Sequence, residues 1–253
     1  MKKKFNFAEA FDLEVGDIIS VTGGGGKTSL ISKLAKELSQ NYRVLITTTT
    51  KIYLPKIEEY ENFILERKIE NKNIIEKQGT YKNIDYLAEE IDYKNKKIIG
   101  VKDKTLEKVL KNYDFILIES DGSKGKSLKV WRENEPVISK YSNKIIGVIN
   151  LNVLNTKVKD SVYRYESIIN KENKQEKKIT SNFIVKYIKT GNFFRNMIDK
   201  DCKKIEKYLF INGIEDWKKF NAGIKICNNL NKENIPIILG SIKKELNFQL
   251  KKE

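Results

Sequence analysis

A glycine-rich stretch near the start of the chain constrains the fold more than any other feature of the sequence. An apolar run over residues 18–21 leads into four consecutive glycines, Gly23, Gly24, Gly25 and Gly26. Lys27, Thr28 and Ser29 come next, and apolar residues then recur at helical spacing as far as Leu38. This order predicts a buried strand, a glycine loop and an amphipathic helix.

The predicted loop is suited to binding phosphate. Glycines adopt positive φ angles and lack Cβ, so several backbone N–H groups can turn toward one anion, and the following helix directs its positive dipole end to the same place. We expect Lys27 to contact the terminal phosphates and the Thr28 hydroxyl to ligate Mg²⁺. A flexible linker is the alternative for a run of glycines, but the flanking strand and helix patterns favour a site for ATP or GTP with Mg²⁺, formed by residues 23–29.

The loop is shorter than the common phosphate-loop motif G-x-x-x-x-G-K-[ST]. The position five residues before Gly26 is occupied by Val21, so the first glycine of that motif is missing. The remaining pattern, [VI]-T-G-x-x-G-K-[TS], resembles the glycine loop of the Mur ligase type of ATP-binding domain.

A second apolar run ends in acidic residues. The segment 115–118 reads as a buried strand, and Glu119 and Asp121 follow at its carboxyl end. Many strands end in an acid, but downstream of a glycine loop the pattern favours a carboxylate that holds the Mg²⁺ shell or aligns the attacking group. The sequence does not decide between Glu119 and Asp121.

The strand predicted over residues 43–49 ends in a run of threonines, 47–50, followed by Lys51. Because functional loops follow the carboxyl ends of strands in open α/β sheets, this cluster is expected beside the glycine loop. Thr49 is a candidate Mg²⁺ ligand, and Lys51 is a candidate for stabilising charge on the phosphoryl group. The alternative is that the threonines are only good strand-forming residues.

A further strand, predicted over 207–211, ends in Asn212, where a guanine-reading protein would have the pattern Asn-Lys-x-Asp. Asn212 and Glu215 match that pattern loosely, but Gly213 replaces the lysine. We predict that Asn212 contacts the nucleotide. An Asn-Gly turn that only closes the strand is the alternative.

Strands and helices alternate through most of the sequence, which favours an α/β fold with a mainly parallel sheet and helices on both faces, of the P-loop NTPase type. No repeat or linker divides the chain, so residues 1–253 are predicted to form one domain. The segments 52–95 and 152–205 are expected to be insertions or decoration. Within them we predict helices at 83–91 and 161–169, a strand at 63–65 and a helix at 179–188.

Composition excludes several classes of function. The chain has no histidine, which rules out Ser-His-Asp triads, histidine general bases and histidine-ligated zinc. The net charge of +15 comes from lysines scattered along the sequence, so no specific nucleic-acid binding is predicted. We find no signal peptide and no apolar run of about 18 residues, and therefore expect a cytoplasmic protein without a membrane partner.

Three segments together resemble the YqeC family, the selenium-dependent hydroxylase accessory proteins: 16–38, 44–55 and 114–131, with a looser match at 135–138 and 147–154. The resemblance implies a P-loop nucleotide-binding protein encoded with the machinery that matures molybdenum hydroxylases containing a labile selenium. Taken with the motifs above, it leads us to predict a Mg-nucleotide-binding accessory protein that hydrolyses its nucleotide. The implied partner is a molybdenum hydroxylase or one of its cofactor-maturation proteins.

Two other functions fit the same motifs. One is a kinase or ligase that acts on a small anionic precursor of the selenium or molybdopterin type, as the Mur-like loop suggests. The other is a nucleotide-dependent switch or chaperone without efficient turnover.

Overall fold

The computed structural model describes residues 6–66, 82–167, 178–190, 205–230 and 235–249, and these form an α/β architecture. The strands are β1 (Ile18–Gly23), β2 (Val44–Thr48), β3 (Lys51–Tyr53), β4 (Asn62–Leu65), β5 (Ile84–Ala88), β6 (Glu90–Asp92), β7 (Lys97–Ile99), β8 (Phe115–Glu119), β9 (Leu128–Lys129), β10 (Lys144–Asn150), β11 (Val162–Tyr163), β12 (Glu206–Asn212), β13 (Ile237–Ser241) and β14 (Leu246–Gln249). The helices are α1 (Phe7–Ala10), α2 (Lys27–Leu38), α3 (Asp103–Glu107), α4 (Val158–Ser161), α5 (Ser181–Thr190) and α6 (Trp217–Leu230).

Nine of the described strands form a central sheet in the order β14-β13-β12-β10-β1-β8-β2-β5-β4. All neighbouring pairs are parallel except β13 and β14, which are antiparallel. In this sheet β8, β2, β5 and β4 lie on one side of β1, whereas β10, β12, β13 and β14 lie on the other. The carboxyl end of β1 is therefore at the point where the strand order reverses, which is where open α/β sheets commonly bind ligands.

Both faces of the sheet are covered, which explains the continuous apolar runs in its central strands. Helices α1 and α2 pack against one face, where they bury side chains such as Leu30 and Leu34 with Val21 of β1. On the other face, α5 and α6 pack against β10, β12 and β13. Helix α3 lies on that same face against β2 and β8. The α/β class and the mainly parallel sheet predicted from the sequence are thus confirmed.

Two small sheets lie outside the central one. Strands β3, β7 and β6 form an antiparallel sheet directly after the end of β2. Strands β9 and β11 form a short parallel pair, which holds the segment that follows Asp121 beside the segment that follows α4. None of the described helices is both long and apolar enough to span a bilayer.

Two of the local predictions were wrong. The helix predicted at 83–91 is instead β5 and β6, because residues 84–88 are buried on both sides between β2 and β4, where tertiary packing overrides the helix-forming residues. The chain does not continue as a helix over 161–169 as predicted. Helix α4 ends at Ser161, and the next residues form β11, which pairs with β9. Residues 168–169 lie outside the described residues.

Other local predictions were confirmed, in particular the strand at 63–65 and the helix at 179–188, observed as β4 and α5. The segment 52–95, expected to be decoration, includes β4 and β5, which belong to the central sheet. In the segment 152–205, the described residues form α4, β11 and α5, and several of them pack into the same core as α6.

Candidate functional site

The glycine loop joins β1 to α2 at the carboxyl edge of the sheet. Its backbone is left-handed at three positions, with φ of +104° at Gly23, +74° at Gly25 and +134° at Gly26. At Gly24 a Cβ atom would lie 2.4 Å from the Ser127 carbonyl oxygen, so the loop also passes too close to the segment after β8 for a side chain. This backbone path requires glycine.

The loop presents a series of backbone amides that are unpaired among the described residues. The Gly24 N–H donates to the Val148 carbonyl (3.0 Å), and the Leu30 N–H donates to the Gly26 carbonyl (2.9 Å). Between them, the amides of residues 25–29 have no acceptor within the described part of the chain. Unpaired amides at the start of the twelve-residue helix α2 attract an anion, because the N–H groups and the helix dipole act together.

Two asparagines hold the loop from the neighbouring strands. The carbonyl of Gly25 accepts from Asn150 Nδ2 (2.9 Å) and from Asn212 Nδ2 (3.3 Å). Asn212 Oδ1 in turn accepts from the Gly213 and Ile242 amides. The Asn212 side chain is therefore bound to the glycine loop and to the turn after β12.

Asn150 was not singled out in the sequence. It is the register partner of Asn212 in the β10–β12 pair, and both strands end in asparagine. That shared ending was the one pattern that could have revealed it.

The Lys27 ammonium lies at the centre of the site and is 4% exposed. It donates to the Gly23 carbonyl oxygen (2.8 Å), and it forms ion pairs with Asp121 Oδ1 (3.2 Å) and Glu119 Oε1 (3.8 Å). The contact with Asp121 Oδ1 has the distance of an ion pair without hydrogen-bond geometry. One ammonium thus stands between two buried carboxylates.

The two carboxylates have different second partners. Glu119 Oε2 accepts from the Thr28 hydroxyl (2.8 Å), which links the end of β8 to the first turn of α2. Burial raises the pKa of Glu119, while Lys27 and the Thr28 hydrogen bond oppose that increase. Since burial penalises the charged form of Glu119, an additional cation beside it would be favourable.

The Asp121 carboxylate has partners in the glycine loop and in the segment after β9. Its Oδ2 atom accepts from the Gly23 amide (3.2 Å) and from the indole N–H of Trp131 (2.7 Å). Trp131 was not predicted as a site residue, because only the path of the chain after β8 brings it back to Asp121.

The remaining predicted residues lie around this cluster with other partners. Thr49 donates from its amide to the Glu119 carbonyl (3.2 Å) and from its hydroxyl to the Val137 carbonyl (2.6 Å). Lys51 lies on β3, and its ammonium is 2.5 Å from Asp92 Oδ2, which lowers the pKa of Asp92 to about 2. Ser29 is exposed on the first turn of α2. The structure brings Lys27, Thr28, Glu119 and Asp121 together, but not the Lys51 ammonium.

The donor atoms of this cluster fit a nucleotide-bound Mg²⁺ ion. Within the described ranges, no group of three or more Cys, Asp or Glu side chains is placed to hold a metal without other ligands. Mg²⁺ does not need such a group, since it commonly takes one or two protein oxygens together with phosphate oxygens and waters. The Thr28 hydroxyl and the Glu119 carboxylate, already 2.8 Å apart, are oxygens of that kind.

An ion cluster braces the loop after Asp121. Glu135 accepts from Arg164 through two oxygens (2.5 and 3.2 Å) and forms an ion pair with the buried Lys129 (3.0 Å). Burial by itself raises the pKa of Glu135, but the hydrogen bonds from Arg164 and Lys129 outweigh it and lower the pKa to about 2. Glu135 thus links β9 to the residue that follows β11.

Replacing Glu135 with glutamine is expected to reduce the free energy of unfolding by about 1–2 kcal/mol at neutral pH, after allowance for its partial exposure. Because its pKa is depressed when folded, this stabilisation is present above the unfolded value near 4.5 and is lost as the pH falls toward 2. Urea denaturation of wild type and Glu135→Gln should therefore differ at neutral pH and converge near pH 2. The exposed neighbour substitution Glu133→Gln serves as control, and an equal loss in both variants would contradict the prediction.

Two comparisons with known proteins relate this chain to the same family. A family model described as YqeC protein matches residues 19–166, more than half of the chain. The chain is also similar to the protein YqeC of Escherichia coli (strain K12), with 33% identity over 152 residues. That alignment covers 58% of this chain and 57% of the relative, so it spans little more than half of the relative's length. No solved structure matches. The family match includes the glycine loop, Glu119, Asp121 and Trp131, and ends before Asn212.

Proposed function

The chain belongs to the YqeC family, and from that premise we propose that it binds Mg-ATP or Mg-GTP at the glycine loop and hydrolyses it. One observation carries the proposal: the amides of residues 25–29 have no acceptor in the described part of the chain, and they surround the start of α2 beside Lys27. A phosphate group would satisfy these donors and would lie against the positive end of the helix.

Each residue of the cluster has a chemical role in this proposal. The loop amides bind the β-phosphate, and the Lys27 ammonium contacts oxygens of the β- and γ-phosphates. Thr28 and Glu119 would hold Mg²⁺, which neutralises charge on the phosphoryl oxygens when it is bound. Catalysis then depends on positioning and charge stabilisation, and no covalent protein intermediate is needed. The roles predicted for Thr49 and Lys51 stay predictions.

The biological part of the proposal is maturation of a selenium-dependent molybdenum hydroxylase. Its support is membership of the YqeC family together with the genomic setting that the sequence resemblance implies. In this role the protein would couple nucleotide binding or turnover to an interaction with the hydroxylase or with its cofactor-maturation proteins. We infer a cytoplasmic location from the same setting.

Isothermal titration calorimetry of the full chain with ATP and GTP, each with and without Mg²⁺, tests the nucleotide proposal. We expect saturable binding of one nucleotide per chain, strengthened by Mg²⁺. If neither nucleotide binds with Mg²⁺ present, the proposal is wrong. Phosphate release measured with and without added hydroxylase then separates a partner-stimulated switch from an enzyme that turns over alone.

A further inference from the structure

The three contacts of Lys27 have a consequence for how the loop would accept phosphate. The Lys27 ammonium donates a hydrogen bond to the Gly23 carbonyl and forms ion pairs with Asp121 and Glu119. A phosphate that binds this ammonium therefore competes with the two carboxylates for its charge. Of the two carboxylates, Asp121 is the one that a bound Mg-nucleotide needs less. It makes no contact with Thr28, whereas Glu119 does.

Asp121 is held in place from the side away from the loop. It is 1% exposed, and its Oδ2 atom is fixed by the Trp131 indole N–H. Trp131 stacks against Tyr187 of α5, with ring centroids 6.1 Å apart and an interplanar angle of 27°. The Tyr187 hydroxyl donates to the carbonyl of Lys129 (2.6 Å), which lies on β9, two residues before Trp131. The orientation of Asp121 thus depends on packing between this segment and α5.

We propose that Asp121, oriented by Trp131, is a positioning residue that competes with phosphate for Lys27 and so limits how tightly the glycine loop binds nucleotide. The proposal rests on the nucleotide site described above and assigns regulation to it. Binding moves the Lys27 ammonium from Asp121 to the phosphate, while the Gly23 and Trp131 N–H groups continue to donate hydrogen bonds to the carboxylate. Any change at α5 that shifts Trp131 would alter this competition.

This role predicts the opposite result from a role as Mg²⁺ ligand. If Asp121 served the metal, its removal would weaken binding in the presence of Mg²⁺. If Asp121 competes for Lys27, its removal strengthens phosphate binding both with and without Mg²⁺, because Lys27 is released and one negative charge next to the phosphates disappears. The sign of the change in the presence of Mg²⁺ separates the two.

The test is calorimetric titration of inorganic pyrophosphate into wild type and Asp121→Asn, once in EDTA and once with Mg²⁺. We expect Asp121→Asn to bind pyrophosphate more tightly by roughly tenfold, a coupling of ordinary size between two interactions at one site. Asp160→Asn, an exposed carboxylate on α4, controls for the change in overall charge. Unchanged or weaker binding by Asp121→Asn would overturn the proposal.

A second variant keeps the test decisive if Asp121→Asn folds poorly. Trp131→Phe retains a ring against Tyr187 but removes the N–H donor to Asp121. Without that hydrogen bond the Asp121 carboxylate depends more on the Lys27 ammonium, so Trp131→Phe should weaken pyrophosphate binding in EDTA. Trp217→Phe, at an exposed tryptophan of α6, is the control and should bind as wild type does. Unchanged or tighter binding by Trp131→Phe would overturn the proposal.

The outcomes also distinguish this inference from the proposed function. If wild type binds Mg-nucleotide, but Asp121→Asn does not bind pyrophosphate more tightly and Trp131→Phe does not bind it more weakly, only the competition between Asp121 and phosphate is excluded. If no variant binds nucleotide or pyrophosphate under any condition, the nucleotide site itself is excluded and this inference is excluded with it.

Discussion

Lys27→Ala is expected to weaken Mg-nucleotide binding by about a hundredfold or more. Charge-assisted hydrogen bonds to phosphate contribute roughly 1.5–3 kcal/mol in proteins, and the substitution removes them. It also leaves Glu119 and Asp121 without their shared cation, so both carboxylates repel the incoming phosphates. Calorimetry with Mg-ATP and Mg-GTP measures the change in affinity directly.

The same substitution should destabilise the fold, since breaking a buried ion pair from one side commonly costs about 3–5 kcal/mol. Circular dichroism at the temperature of the titration must therefore show that Lys27→Ala is folded. Lys36→Ala, at an exposed lysine about two and a half turns along the same helix, is the matched control and should bind as wild type does. Equal affinity of Lys27→Ala and wild type would remove Lys27 from the site.

Gly23→Ala is expected to produce the largest loss of stability of any single methyl added to the loop. The residue has φ of +104°, and the new Cβ would lie 2.2 Å from the Val148 carbonyl oxygen, a backbone atom of β10. Left-handed strain contributes about 1–3 kcal/mol, and the clash can be relieved only by separating β1 from β10. We therefore expect the free energy of unfolding in urea to fall by roughly 3 kcal/mol or more.

Gly16→Ala separates the clash from the strained backbone. Gly16 has a similar φ of +96°, but no atom lies within 4 Å of the position of its Cβ. The free energy of unfolding of Gly16→Ala should fall only by the cost of the left-handed backbone, on the order of 1 kcal/mol. If the two variants are equally destabilised, the close approach of β1 and β10 at Gly23 is not what requires glycine there.

The central strands could be predicted because each is a short apolar run buried on both faces, as in β8, where residues 115–119 are all buried. The same rule failed for residues 84–88, where acidic and tyrosine residues interrupt the run. Asp85 is nevertheless buried, because Asn62 and Tyr113 donate hydrogen bonds to its carboxylate. Such partners, distant in sequence, cannot be inferred from a local pattern.

The candidate site, like the sheet, was only partly predictable from local sequence patterns. Lys27 and Thr28 follow the glycines directly, and Glu119 and Asp121 end the neighbouring strand, so adjacency of β1 and β8 in the sheet brings them together. Trp131 reaches Asp121 only through the turns between β8 and β9 and could not be placed from the sequence. The nucleotide contact predicted for Asn212 stays a prediction, and its amide donates to the Gly25 carbonyl.

A crystal structure of the full chain with Mg²⁺ and a non-hydrolysable ATP or GTP analogue tests the central claim most directly. The account predicts phosphate oxygens about 3 Å from the amide nitrogens of residues 25–28, with the Lys27 ammonium in contact with them. A nucleotide bound elsewhere on the protein, with those amides paired to other groups of the chain, would contradict it.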